Sequence, residues 1–254
     1  VPAPTARRRE DPFVVLWSGS FNTWSDVDTL ADALESAMAR DPRIRFLATG
    51  GQIPGHDEST YRRFQERVQG SPHRARFELH GWVPTSELPA LVARAHLGVL
   101  CERPIYEGAL GSKNRVVQWL GQGLPVAYNR IGDLGDHLEL ERIGLTFPPG
   151  DAAALAARIL WAADRPEELA ALALRARAWV ATHGSIAATT RPLVAWAAAP
   201  RHAPDAAVKG RHAATEAWEH DGETPAGPVA EVPGVPLWRR LARVIRRRLG
   251  PIAD

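Results

Sequence analysis

Short apolar runs alternate with amphipathic stretches along most of the chain. The first amphipathic stretch places Val27, Leu30, Leu34 and Met38 on one helical face, and further helices are predicted at 61–68 and 88–95. The apolar runs have the length of strands, and the first three are followed by glycine, which breaks regular structure. The predicted strands lie at 13–17, 44–48, 76–80, 97–100, 125–128 and 145–147. This alternation predicts an α/β fold, a Rossmann-like parallel sheet flanked by helices.

The loops that follow the predicted strands are expected to share one edge of the sheet. In a parallel sheet, ligands bind beyond the carboxyl ends of the strands. The loops after Trp17, Ala48, His80, Leu100 and Ala127 therefore hold the candidate binding residues.

Composition divides the chain into four parts. Residues 1–12 are rich in Pro and Arg and are predicted to be a linker from an upstream segment, because the chain does not begin with Met. Residues 13–199 form the predicted α/β domain, which ends in an Ala-rich region of two or three helices. Residues 200–235 combine Pro, Gly and charge without apolar periodicity, which predicts a flexible linker.

Residues 236–250 predict a basic amphipathic helix. Its apolar positions fall on one face, and arginines occupy the rest: Leu237, Trp238, Leu241, Val244, Ile245 and Leu249 against Arg239, Arg240, Arg243, Arg246, Arg247 and Arg248. Such a helix suits an anionic membrane surface, but docking on the same chain or on an acidic partner stays open. Nucleic acid is not an expected partner, because the basic residues are confined to one tail. We expect a cytoplasmic protein, with the inner face of the membrane as an alternative location.

Composition and motifs exclude several function classes. Hydrophobic residues make up 45% of the chain and charged residues 24%, which is ordinary for a globular protein. The single cysteine, Cys101, ends an apolar run and is expected to be a buried, inert thiol. The histidines are scattered without metal-ligand spacing, and neither a Gly-x-Ser-x-Gly elbow nor a Walker loop occurs. We therefore expect no metal and no cofactor.

The segment from Ser112 to Val126 carries the strongest chemical signal. Ser112 is placed to cap a helix whose first turn contains Lys113 and Arg115, and Gly123 ends that helix. A helix N-terminus with free N–H groups, a hydroxyl and cations is suited to binding phosphate.

Three other loop segments offer groups for a ligand. The loop that begins at Gly19 provides Asn22 and Thr23, although Thr23 or Ser25 can instead cap the following helix. Gly81 and Trp82 follow the third strand, where glycine permits close approach of a flat ring; an ordinary turn is the alternative. The loop 102–111 places Glu107 and Gly111 just before the Ser112 helix, where a carboxylate can accept hydrogen bonds from sugar hydroxyls.

These parts, in this order, resemble the C-terminal half of family 4 glycosyltransferases of the GT-B fold. The resemblance spans residues 13–198 and includes the Gly123-Leu-Pro-Val126 step and the Pro149-Gly-Asp151 step. It implies a half that binds a nucleotide-sugar donor, an upstream N-terminal half that binds the acceptor, and metal-independent transfer with retention of configuration. The chain departs from the family pattern at Gln118, where an acidic residue is usual, and at Leu110, where the signature has its other acidic residue.

The resemblance also implies roles for individual residues. Ser112, Lys113 and Arg115 would hold the diphosphate, and Gln118 would face the ribose. Glu107 would contact the sugar as the catalytic candidate, and the loop of Gly81 and Trp82 would contact the base. The first loop lacks the family's cations. The basic tail favours a cell-envelope or lipid-linked acceptor.

Two other functions remain open at this point. One is a non-catalytic scaffold module derived from a glycosyltransferase, which the change at Gln118 and the missing first-loop cations favour. The other is a nucleotide-sugar epimerase of the same fold, which would also need an N-terminal half.

Overall fold

A computed structural model of the chain describes residues 11–201. It contains six strands, which lie close to the predicted apolar runs: β1 (Phe13–Ser18), β2 (Ile44–Thr49), β3 (Phe77–Leu79), β4 (Leu97–Leu100), β5 (Val126–Asn129) and β6 (Leu145–Phe147). The predictions made for residues 1–10, for 202–235 and for the helix at 236–250 lie outside the described residues.

Nine α-helices accompany the strands within the described residues. They are α1 (Val27–Arg40), α2 (Ser59–Gly70), α3 (Leu88–Ala93), α4 (Tyr106–Leu110), α5 (Asn114–Gln122), α6 (Gly132–Leu140), α7 (Ala152–Asp164), α8 (Pro166–Trp179) and α9 (Ile186–Ala198). A short 3-10 turn, Arg74–Arg76, precedes β3, and a π-helical segment, Val180–Gly184, joins α8 to α9. The Ala-rich region thus forms three α-helices, as expected.

All six strands are parallel, in the order β3-β2-β1-β4-β5-β6. This arrangement confirms the predicted fold class. Every residue of β1, β4 and β5 is buried, because helices cover both faces of the sheet. Strand order reverses between β1 and β4, and a crevice opens at such a point beyond the carboxyl ends of the strands.

Helix α1 anchors the first half of the sheet. Asp26 caps its N-terminus: Oδ1 accepts a hydrogen bond from the Thr29 N–H at 3.2 Å, and Oδ2 accepts one from the Thr29 hydroxyl at 2.7 Å. The predicted caps, Thr23 or Ser25, are therefore wrong, because a carboxylate three residues before Thr29 reaches the free N–H groups instead.

Two further predictions near the site are corrected. The segment 102–111 is not all loop, because it contains the short helix α4 (Tyr106–Leu110). Helix α5 begins at Asn114 with Lys113 in the cap position, so Ser112 is not its cap. Gly123 ends α5 as predicted: its φ of 82° is in the left-handed region, which suits glycine.

Glycines with positive φ follow the first three strands and turn the chain away from the sheet. Their φ angles are 112° at Gly19, 88° at Gly50 and 66° at Gly81. The Gly50 N–H donates to the Gly81 carbonyl at 2.6 Å, and a Cβ at Gly50 would lie 2.2 Å from the Gly19 carbonyl oxygen. The three loops therefore start in backbone contact with one another.

Two further properties concern residues 11–201 alone. No helix in this range combines the length and the apolar character needed to cross a bilayer. The range also holds no cluster of three or more His, Cys, Asp or Glu side chains arranged to ligate a metal ion.

Candidate functional site

A cavity of about 200 Å³ lies beyond the carboxyl ends of β1 and β4, at the point where strand order reverses. Its lining is mostly polar and comes from the loop after β1, the end of β4 and the start of α5. The lining residues are Trp17, Ser20, Asn22, Trp24, Ser25, Leu100, Glu102, Ser112, Lys113, Asn114 and Arg115.

The two loops that form the walls are joined by backbone hydrogen bonds. An isolated antiparallel bridge pairs Ser25 with Glu102. The Asp26 N–H donates to the Cys101 carbonyl at 3.0 Å, and the Arg103 N–H donates to the Trp24 carbonyl at 2.8 Å. These bonds fix the loops against each other, so the cavity is bounded by ordered backbone.

Arg115 presents a half-buried cation to the cavity from the first turn of α5. Its guanidinium carbon lies 5.8 Å from the centroid of the Trp17 ring, and its guanidinium lies close to the Cα of Gly19. Burial lowers the pKa of Arg115, an effect that the charge of Glu102 only partly opposes, yet a guanidinium stays protonated at neutral pH. Among residues 11–201 this guanidinium makes no hydrogen bond or ion pair.

Lys113, in contrast, is already paired. Its Nζ lies 2.7 Å from Oε2 of Glu102, and only 7% of the Lys113 side chain and 5% of the Glu102 side chain are exposed. The Tyr128 hydroxyl donates to the same Oε2 at 3.0 Å. Burial, followed by the charge of Glu102, raises the pKa of Tyr128, so the phenol is a protonated donor.

The backbone of Glu102 is fixed from the side of β5. Its N–H donates to Oδ1 of Asn129 at 3.0 Å, and its carbonyl accepts a hydrogen bond from Nδ2 of the same side chain. Asn129 is fully buried, and its side chain links the end of β5 to the backbone of Glu102. The backbone of Glu102 is consequently fixed, while its carboxylate is held by Lys113 and Tyr128.

Asn22 leaves one polar atom without a partner. Its side-chain nitrogen donates to the Ser20 hydroxyl at 2.7 Å, and its backbone N–H donates to the Ser25 hydroxyl at 3.1 Å. Its Oδ1 atom is buried and accepts no hydrogen bond from residues 11–201, although the residue is only 3% exposed. A buried acceptor without a partner is costly, so this oxygen is suited to a hydroxyl or N–H of a ligand.

The cavity brings together four of the residues predicted from sequence: Asn22, Ser112, Lys113 and Arg115. Gly19 lies directly behind them, against the Arg115 guanidinium.

The other predicted residues lie outside the cavity lining. Thr23, Glu107, Gly111 and Gln118 are exposed. Trp82, which follows Gly81, is 61% exposed, and its ring nitrogen donates to the Gln52 carbonyl at 2.9 Å.

The sequence analysis missed Glu102, Trp17 and Trp24 as site residues. Glu102 is the first charged residue after the buried strand β4, at the edge where ligands bind, and this position was a usable signal. Trp17 belongs to an apolar run, and that pattern alone indicates a position in the hydrophobic core. Cys101 is fully buried and burial raises its pKa, which agrees with the inert thiol expected from the sequence.

Comparisons with known proteins place the chain. The family model described as glycosyl transferases group 1 matches residues 12–165. The search of curated proteins finds no match.

Three solved structures represent the fold. HepE of Anabaena, crystallised with UDP and glucose, is 19% identical with a TM-score of 0.61 over 76% of this chain and 50% of its own. A TarM variant of S. aureus, crystallised with UDP, is 15% identical with a TM-score of 0.57 over 71% and 34%. The C-terminal domain of LpcC from Francisella tularensis, a group 1 glycosyl transferase, is 13% identical with a TM-score of 0.57 over 72% and 95%.

The chain thus spans about half the length of the Anabaena protein. The family match covers more than half of the present chain, and the fold agrees with that of the solved structures it resembles. This chain belongs to the group 1 glycosyl transferases.

Proposed function

We propose that this chain is the donor-binding half of a GT-B glycosyltransferase of family 4 and that its cavity holds the diphosphate of a nucleotide-sugar. The observation that carries the proposal is the half-buried Arg115 guanidinium, which lines the cavity and forms no ion pair with a carboxylate among the described residues. A cation partly removed from water is stabilised by an anion, and the crevice at a strand-order reversal is where such folds bind ligands.

The cavity groups suit the chemistry of transfer. When the sugar's anomeric carbon separates from the β-phosphate oxygen, negative charge increases on the departing diphosphate. Arg115, the Ser112 hydroxyl and the free N–H groups at the start of α5 supply positive charge and donors at that point. Asn22 Oδ1 would accept from a sugar or ribose hydroxyl, because an acceptor repels phosphate.

The volume of the cavity limits which part of the donor it can contain. A space of about 200 Å³ fits a diphosphate but is below the usual range for a whole ligand of this size. The base and sugar therefore extend onto the surrounding surface, which would bring the exposed Trp82, Gln118 and Glu107 within reach for their predicted roles. An upstream half of the protein would close this surface and bring the acceptor hydroxyl to the anomeric carbon.

The structural neighbours support both the half-fold and the choice of nucleotide. The LpcC structure, of which 95% is covered, is itself a C-terminal domain of a group 1 enzyme. HepE was crystallised with UDP and with UDP-glucose. We therefore propose UDP-hexose as the donor, and a cell-envelope or lipid-linked acceptor.

A thermal-shift screen of the full chain with UDP-, GDP-, ADP- and dTDP-sugars tests the donor site. At a ligand concentration 100-fold above the Kd, binding adds about 2.7 kcal/mol to the free energy of unfolding and raises Tm measurably. We expect one nucleotide to do so, UDP first, and Arg115→Ala to abolish the shift. Arg130→Ala is the matched control, since Arg130 is an exposed arginine that pairs with Glu139 and does not line the cavity. An unchanged shift in Arg115→Ala would contradict the assignment.

A non-catalytic binding module is the second candidate. The exposure of Glu107 outside the cavity favours it, because no carboxylate other than the paired Glu102 lines the site among the described residues. Release of UDP from UDP-glucose, measured with the chain joined to its upstream half, separates the two functions: a module binds the donor without turning it over.

A membrane surface is the proposed location of the basic tail. Co-sedimentation of the full chain with vesicles containing about 30% anionic lipid tests this proposal. We expect binding that falls at high salt and that is lost when Arg246, Arg247 and Arg248 are replaced by Ala. Binding to neutral vesicles alone, or none, would contradict it.

A further inference from the structure

The ion pair of Glu102 and Lys113 lies in the wall of the cavity. A diphosphate bound there would need the ammonium of Lys113 as a counterion. Both side chains line the cavity, and Nζ lies 2.7 Å from Oε2. An ammonium with only 7% of its side chain exposed requires a counterion, and Glu102 provides it.

The two partners differ in their freedom to move. Glu102 is held by Asn129 on one side and by the bridge to Ser25 on the other, and its Oε2 also accepts from Tyr128. Lys113 precedes the first turn of α5 and carries its charge on a flexible four-carbon stem. The ammonium can therefore change partners, whereas the carboxylate stays in place.

Charge at the cavity follows from this arrangement. Its charged lining residues are Lys113, Arg115 and Glu102, so Glu102 leaves one net positive charge instead of two. An entering diphosphate meets a free Arg115, a Lys113 that must leave its carboxylate, and the negative charge of Glu102 itself.

We propose that Glu102 competes with the bound diphosphate for Lys113 and thereby sets how tightly the site holds the departing nucleoside diphosphate. The inference rests on the proposed donor site. When the anion enters, the Lys113 ammonium exchanges the Glu102 oxygen for a phosphate oxygen. When the nucleoside diphosphate leaves, the Lys113–Glu102 pair forms again. Glu102 thus weakens the binding of the nucleoside diphosphate product.

Isothermal titration of the full chain with sodium pyrophosphate, and separately with UDP, tests the competition. The proteins are wild type, Glu102→Gln, Lys113→Met and the double variant. We expect Glu102→Gln to bind both ligands at least about tenfold more tightly than wild type, although its Tm without ligand falls. A merely structural role predicts the opposite, weaker binding. In the Lys113→Met background Glu102→Gln relieves only the repulsion between the carboxylate and the anion, so the gain must be clearly smaller there; a gain of the same size would overturn the proposal.

Two additional variants control the experiment. Glu139→Gln removes an exposed carboxylate that pairs with Arg130, and it should leave both dissociation constants unchanged. Tyr128→Phe keeps the charge of Glu102 but removes its neutral donor, so Lys113 is held more firmly and pyrophosphate binds about threefold more weakly. This variant decides the matter if Glu102→Gln does not fold; equal or tighter binding would overturn the proposal.

The outcomes separate this inference from the proposed function. If wild type binds UDP and Glu102→Gln gains nothing, the competition is wrong and the donor site stands. If neither ligand binds to any folded variant, both proposals are contradicted.

Discussion

The guanidinium of Arg115 lies directly against the Cα of Gly19: a Cβ at Gly19 would be 1.9 Å from Nη2 of Arg115. The ring of Trp17, at the end of β1, supports the guanidinium from a second side. The guanidinium therefore occupies the space that a side chain at position 19 would fill.

Gly19→Ala should remove Arg115 from its place. The added methyl group overlaps the guanidinium, and the φ of 112° at Gly19 also disfavours alanine. We expect the affinity for a nucleotide-sugar to fall at least about tenfold, measured by isothermal titration.

A matched substitution separates the overlap from the backbone strain. Gly55→Ala places alanine at a φ of 76° with nothing within 4 Å of the new Cβ. It should lower the free energy of unfolding by about 1 kcal/mol and leave affinity unchanged. Equal losses of affinity in the two variants would contradict the explanation.

Asn22→Leu should separate binding from stability. Leucine removes the buried oxygen that has no partner among residues 11–201, and this offsets the loss of the hydrogen bond to Ser20. The free energy of unfolding should therefore stay within about 1 kcal/mol of wild type while the affinity for the nucleotide-sugar falls about tenfold. Urea unfolding and titration calorimetry measure the two quantities.

Asn129→Leu provides the contrast, because both polar atoms of this buried side chain are bonded to the Glu102 backbone. It should destabilise the protein by about 2 kcal/mol. Retained affinity in Asn22→Leu would show that its oxygen does not contact the ligand.

Asp57 makes part of the stability dependent on pH. Burial acts to raise the pKa of Asp57, but hydrogen bonds from Thr60 and Ser59 outweigh it and hold the pKa below its ordinary value of 3.8. Its contribution is therefore complete above the ordinary pKa and is lost as pH falls through the lower folded pKa. Asp57→Asn should remove this acid-sensitive part, measured as the difference in unfolding free energy between pH 6 and about pH 3.

The neutral-pH cost of the same site is measured with a second variant. Asp57→Ala removes the acceptor for the N–H groups of Ser59 and Thr60 and should cost about 1 kcal/mol at neutral pH. A variant with an acceptor but no charge, Asp57→Asn, should cost less. The same steepness of acid unfolding in wild type and Asp57→Asn would argue against the assignment.

Cys101 should resist modification in the native protein. The side chain is fully buried, and burial raises the pKa of its thiol, so both access and the thiolate are lacking. With an aromatic disulfide reagent at pH 8, we expect reaction only after unfolding in urea. Rapid reaction without denaturant would contradict the buried position.

Three strands, β1, β4 and β5, were predictable because every residue in them is buried and the sequence there is a mostly apolar run. The half-buried strand β3 was predictable because Phe77 and Leu79 alternate with Glu78 before a glycine turn, and the order of the elements then indicated a parallel sheet. The short helix α4 was not predictable, because five residues do not complete two turns of periodicity. At the start of α5 the predicted cap, Ser112, lies one position before the observed cap, Lys113, because sequence patterns locate a helix end only to within a residue or two.

The candidate site was predictable only where local sequence carries the chemistry. Lys113 and Arg115 were found because cations at a helix start suggest phosphate binding. The pairing of Lys113 depends on Glu102, which follows β4 and accepts a hydrogen bond from Tyr128 of β5, and no local sequence pattern predicts these contacts. Trp17 likewise combines a core position with a surface that faces the cavity.

The bridge between Ser25 and Glu102 has a consequence for the order in which the protein assembles. Its two residues belong to the loops after β1 and β4, with β2, β3 and their helices in between. Contacts between such distant parts of a chain slow folding, because a long loop must close first, so the site exists only in chains in which β1 and β4 have paired. The backbone amides of Asp26 and Arg103, which close the two loops, should therefore exchange with solvent more slowly when donor is bound. A chain that holds donor is one that has already folded through to β4.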